Sequence, residues 1–342
     1  MTRVDTPVPT QATNAPAPRP DHRDVPGRFP ALGGWGWFSA WILSRAVMAW
    51  IFATSATFIA FDVRYYFSGV NGASSLGGRL VEYPVPVVWL LELLRVVSGP
   101  SEDVYVWVFT AFICLLDLAT TLLLWHVASR RTAIYWATFT FLIGPLLWYR
   151  IDLIPAVLVA LAMLWLNRRP GLSGAMVALG AATKLWPAML IAPLLGTDRR
   201  ARRRGQSFLI VGAGLALSSW VAEGWARSVS PLSWQSARGL QIESVAATWP
   251  MLVRAFDPHP RYQVHLSQFN AWEVYGPQVQ GLTLFADKAI YAAALLVTFL
   301  GWLIGLGGAG LPGHSMEAAR RPQHQQVRTQ AMLVSILAII LA

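Results

Sequence analysis

"LSGAMVALGAATKLWPAMLIAPLLGTDRRARRRG", residues 172–205, joins an apolar run to five arginines. A straight helix over 172–196 would rise roughly 36 Å at about 1.5 Å per residue, and so would carry those arginines across a bilayer. They would then lie opposite Arg168 and Arg169, although short basic loops collect on the cytoplasmic side. A hairpin of two short helices, broken at "ATKLWPA", removes the conflict and puts Lys184 and Pro187 at the outer surface. Proline lacks a backbone donor and the residue before it resists helical geometry, so Trp186-Pro187 is a natural break. The alternative leaves one basic pair outside.

The rest of the chain has the same character. Of 342 residues, 55% are apolar and 13% charged, with apolar blocks at 36–60, 104–128, 132–148, 154–166, 172–196, 207–224, 288–311 and from 331. This predicts an all-α polytopic membrane protein, a bundle of roughly 8 to 9 transmembrane helices, several of them short or broken. With Arg130, Arg131, Arg320, Arg321 and Arg328 also inside, the N-terminus is cytoplasmic, and 61–103, 149–153, 184–187 and 225–287 are external. The segment 84–97 is too short to cross and reads as a helix lying on or dipping into the outer face.

A net charge of +10 is accounted for by the short basic loops, so no nucleic-acid partner is expected. The one cysteine, Cys114, can form no internal disulfide. Seven prolines in the first 30 residues mark residues 1–34 as a disordered cytoplasmic tail, with a transmembrane domain over 35–342. The run to 36–60 is too long for a signal-peptide core. The closing "AMLVSILAIILA" is shorter than a span and reads as a possible C-terminal truncation.

Polar residues able to do chemistry fall in the external segments. "FDVRYYFSGVNGASSLGGRLVEYPVPVVWLL", 61–91, contains Asp62, Tyr65, Tyr66, Glu82 and Tyr83, and its Pro-x-Pro holds the return extended. Arg150 and Asp152 in "WYRIDLIP" need the outer interface or a wet cavity, or else pair with each other. Lys184 has no acid within a helical turn, so it needs a carboxylate from elsewhere or a ligand phosphate. "SARGLQIESVAATWP" offers Arg238 and Glu243, with an amphipathic surface helix as the plain reading. The histidines are too scattered for a metal site.

Together "FDVRYY", "EYPVPVVWLL", "YRIDLIPAVLVALAMLW", "AATKLWPAMLIAPLL" and "RGLQIESV" resemble, in order, elements of glycosyltransferase family 87 of the GT-C superfamily, over most of residues 36–260. Val85 between the prolines and Ile151 before Asp152 depart from its pattern. The resemblance implies a GT-C-like fold with its active site on the external face of a bacterial inner membrane. It also implies an inverting enzyme that moves a sugar, mannose, from a polyprenyl-phosphate donor to a glycolipid or glycan hydroxyl.

In that frame Asp62 is the catalytic base, and Lys184, Arg150 and Arg238 bind the donor phosphate. Glu82, Tyr65, Tyr83, Asp152, Trp186 and Glu243 hold the sugar and acceptor. The partners are the lipid-linked sugar donor, the acceptor and membrane lipid, with no cofactor and no metal. A lipid or solute transporter, or a non-catalytic subunit of an envelope assembly complex, remains the alternative.

Overall fold

The computed structural model describes residues 34–72, 79–196, 198–259, 261–269 and 271–307. The tail expected over 1–34, save Gly34, and the apolar run from 331 lie outside them. The chain divides into two compact units, Met1–Leu43 and Ser44–Ala342. In the first, Phe38 and Trp41 stack at 6.4 Å on the opening turns of α1 (Gly34–Ser55). The remainder of α1 and all later elements belong to the second.

Among the described residues, four helical stretches are long and apolar enough to cross a membrane: Gly36–Ser55, Glu102–Ala128, Arg199–Trp234 and Val279–Leu300. Within 61–103 the chain forms α2 (Phe61–Asn71), which was not anticipated, and α3 (Val85–Ser98), the short helix expected over 84–97. Along α2 the buried side chains are Val63, Tyr66, Phe67 and Val70, an i, i+3, i+4, i+7 stripe. Pro86 fits the first turn of α3, where no backbone donor is needed. Ser101 caps α4 (Glu102–Leu123) by accepting from Val104 N. Val87, Val88 and Leu91 of α3 and Tyr105, Phe109 and Ile113 of α4 complete one core with that stripe.

Inside this part of the bundle lies an ion pair. Arg45 of α1 donates to Asp117 of α4 through Nε at 3.0 Å and Nη2 at 2.6 Å. Trp136 Nε1, from α5 (Arg130–Ile143), donates to the second Asp117 oxygen at 2.9 Å, and Arg45 also reaches Thr140 Oγ1. Asp117 is fully buried, and a lone carboxylate there would cost about 2.5–3.5 kcal/mol on insertion scales. Its three donors offset that cost.

The hairpin at 172–196 is present. After α6 (Leu153–Leu164), α7 (Pro170–Thr183) ends where Lys184 turns extended, and the chain resumes in a 3₁₀ turn at Trp186–Leu190 and α8 (Ile191–Leu194). Pro187 lies where a Cβ on Gly180 would meet it at 3.1 Å, so the second limb folds back on the first. Buried Arg204 donates from Nε to Leu194 O and from Nη1 to Leu166 O. The entry to the hairpin and its exit are thereby tied to one end.

From there α9 (Arg199–Ser236) runs back along α7, so closely that a Cβ on Gly174 would strike the Arg204 carbonyl. Gly224, at φ 78°, breaks α9 near its far end. Beyond it come α10 (Thr248–Phe256), an antiparallel hairpin of β1 (Gln263–Leu266) and β2 (Trp272–Tyr275), and α11 (Val279–Gly307). The hairpin is a small two-stranded addition to an otherwise helical membrane protein, in keeping with the all-α expectation. Within "SARGLQIESVAATWP" the surface helix is formed only from Val245 on, while Gln241 bridges Glu273 of β2 instead.

Candidate active site

Asp62 stands in the first turn of α2, where a carboxylate is favoured by the helix dipole. Arg150 and Asp152 flank a short break between Tyr149 and α6, with Arg150 extended at φ −129°. That break points them to different partners. Arg150 Nε lies 2.6 Å from Asp62 Oδ2, close enough for an ion pair but without hydrogen-bond alignment. Asp152 pairs with Lys184, so the anion that Lys184 required comes from the start of α6.

A second group adjoins the first. Tyr65 donates to Glu82 at 2.5 Å, and Tyr66 meets Tyr83 edge-on at 5.6 Å. Arg238 is near enough that its charge acts on Tyr65, and its Nε is buried without a hydrogen-bond partner. Burial raises the Asp62 pKa; Arg150 opposes this and the Asp152 charge adds to it. The Tyr83 hydroxyl is pushed up to about 12, by burial first, then against the Tyr66 hydrogen bond by the charges of Glu82, Asp62 and Asp152. Burial and Glu82 also raise Tyr65. Asp62, Tyr65, Glu82, Tyr83, Arg150, Asp152, Lys184 and Arg238 therefore share one electrostatic neighbourhood.

Trp186 and Glu243 stand apart. Trp186 packs against the apolar cluster of Val159, Val177 and Leu190. Glu243 is exposed, and among the described residues it makes no hydrogen bond or ion pair.

Two residues that position the site went unnoticed in the sequence. Arg227, 4% exposed, donates from Nη2 to the carbonyls of Arg79, Leu80 and Tyr83, while Ser230 Oγ donates to Val81 O. The far turns of α9 thus clamp the loop that presents Glu82 and Tyr83. Glu273, 4% exposed, accepts from Gly239 N at 3.1 Å and from Tyr275 OH, fixing the backbone beside Arg238. No sequence pattern marks Glu273: "WEVY" does not alternate, and Glu273 and Val274 are both buried between the exposed Trp272 and Tyr275.

A helical membrane bundle with carboxylates, phenols and cations gathered at one end is the build of a membrane-embedded protein with a polar reaction or binding site. The chain belongs to glycosyltransferase family 87, whose family model matches residues 81–341. It is a membrane glycosyltransferase, as the resemblance implied. The match begins after Asp62, so it takes in Glu82, Arg150, Asp152, Lys184 and Arg238 but not the candidate base. No curated protein and no solved structure matches the chain.

Proposed function

We propose that this glycosyltransferase inverts the anomeric centre of a sugar, mannose, as it moves from a polyprenyl-phosphate donor to a hydroxyl of an envelope glycolipid or glycan. The acceptor oxygen bonds to the anomeric carbon as the bond from that carbon to the phosphate oxygen breaks. Asp62 takes the acceptor proton, and polyprenyl phosphate departs with the electron pair. A phosphate leaving group departs as an anion, so cations serve it better than a general acid. Lys184, Arg150 and Arg238 are those cations. Glu82, Tyr65, Tyr83 and Asp152 orient the acceptor and sugar, with Trp186 and Glu243 at the margin.

One observation carries this reading: a half-buried carboxylate, Asp62, next to Arg150 and within the same cluster as Lys184 and Arg238. The buried, unbonded Nε of Arg238 is the group best suited to meet a phosphate oxygen. The same reading has eight to nine crossings of a bacterial inner membrane, a cytoplasmic N-terminal tail over 1–34, a transmembrane domain over 35–342 and an external site. Membranes containing the full chain, given radiolabelled polyprenyl-phosphate-mannose, test it. Transfer by the parent and loss in Asp62→Asn, with donor binding kept, is expected. Transfer unaffected by the substitution overturns the role of Asp62, and donor binding without transfer by the parent favours a carrier.

A further inference from the structure

The segment Val245–Phe256, a 3₁₀ turn running into α10, has two unlike faces. Ala247, Met251 and Val253 pack into a small core with Leu240, Tyr262, Val274, Val279 and Leu282. The opposite face carries Val245, Trp249, Leu252 and Phe256, exposed by 80%, 63%, 49% and 81%. Their spacing of four, three and four residues puts them in one stripe, roughly 16 Å long at about 1.5 Å per residue. Four large apolar side chains so exposed call for an occupant.

Its position identifies the occupant. Val279 and Leu282, which share the inner core, are in the first turn of α11, and Val279–Leu300 is long and apolar enough to cross a membrane. The segment is therefore fixed where that helix enters the bilayer. Leu284 and Phe285, one turn further along α11, are also exposed, so apolar surface continues from the stripe onto the spanning helix. Arg254 donates to Tyr262 O, which takes its charge into the protein and leaves the stripe uncharged.

We propose that Val245–Phe256 is an interfacial element whose Val245, Trp249, Leu252 and Phe256 face inserts into one leaflet of the membrane. Tryptophan at such a stripe suits the headgroup boundary. Because Leu240 belongs to the same core, the insertion also sets the depth of the Arg238 loop, at the level where lipid phosphates lie. This placement stands whatever sugar is transferred.

Spin labels test it in the full chain, reconstituted in phosphatidylcholine–phosphatidylglycerol nanodiscs on a Cys114→Ser background. Labels go on Val245→Cys, Leu252→Cys and Phe256→Cys in separate samples, with His259→Cys, exposed just beyond the helix, as reference. Oxygen concentrates in the bilayer and a nickel chelate in water. The expected result is oxygen collision several-fold above nickel at 245, 252 and 256, and the reverse at 259. Nickel in excess along the stripe overturns the proposal in favour of open solvent. Low collision with both, with dipolar broadening between labels, overturns it in favour of a second copy of the chain. The three sites make the outcome independent of any one variant that folds poorly.

Discussion

Arg150 and Asp62 are each other's partner, with Nε 2.6 Å from Oδ2. The proposed base and one of the proposed phosphate-binding cations therefore act on each other. Burial and Asp152 raise the Asp62 pKa and Arg150 holds it down. A base works ionised, so kcat/KM rises with pH through this pKa and levels above it. Arg150→Met removes the restraint. Its acid limb should move to higher pH in a kcat/KM profile, besides any loss of rate from the missing cation. A limb that stays in place would separate Arg150 from Asp62.

The same shift has a consequence for stability. A carboxyl whose folded pKa exceeds its unfolded value holds more proton in the folded chain between the two. Stability then falls as pH rises through that interval and stays lower above it. Asp62→Asn removes the burden at neutral pH, and Arg150, with half its side chain exposed, hydrates when left alone. The variant should melt no lower than the parent at pH 7 while losing transfer, as thermal unfolding in detergent would report. A lower melting point would make Asp62 a structural residue.

Tyr65 and Glu82 form a second pair, at 2.5 Å. A hydrogen bond to a charged group contributes about 1.5–3 kcal/mol. If the pair acts as a unit in catalysis, Tyr65→Phe and Glu82→Gln should each lower kcat/KM by roughly tenfold to a hundredfold at about 1.4 kcal/mol per decade. The double variant should then be little worse than either single one. Multiplied losses would mean the two side chains serve substrate separately.

The fold-back at 172–205 was legible because it rests on few terms: the position of arginines, the length of a helix and the geometry of Trp186-Pro187. Within 61–103 the helix near 84–97 was legible from its apolar run, but α2 was not. Its polar residues drew attention to themselves, while the stripe of Val63, Tyr66, Phe67 and Val70 that makes it a packed helix was there to be counted. Partners were harder still. Arg150 and Asp152 are two apart in sequence, yet they pair with Asp62 and Lys184, because the break after Tyr149 turns them apart. Arg227 could not be placed by pattern at all, since it bonds to carbonyls, which every residue has.

Lys184 and Asp152 have 45% and 50% of their side chains exposed. A pair in that setting contributes about 0–1 kcal/mol to the fold. Lys184→Ala should therefore leave the melting point within about a degree or two yet raise KM for the lipid-phosphate donor, if the ammonium turns from Asp152 to the phosphate. Steady-state kinetics at varied donor and fixed acceptor distinguish this from a purely structural pair, for which KM would not change.

Arg45 and Asp117 give the opposite expectation, because both are buried and the carboxylate is met on both oxygens. Lone charges in the apolar runs 36–60 and 104–128 are the signal that marks such a pair in a sequence. Removing one partner leaves the other charge stranded, at a cost of about 3–5 kcal/mol. Asp117→Leu should thus lower the melting point sharply. Arg45→Met with Asp117→Leu removes both charges and fills the space with apolar atoms, so it should recover most of the loss. Full recovery is not expected: Trp136 Nε1 loses its acceptor, which costs about 1–3 kcal/mol when a buried donor goes unmet. A triple variant that adds Trp136→Phe should close that remainder in thermal unfolding, and a double variant no more stable than Asp117→Leu alone would show that the pair is not the unit its geometry describes.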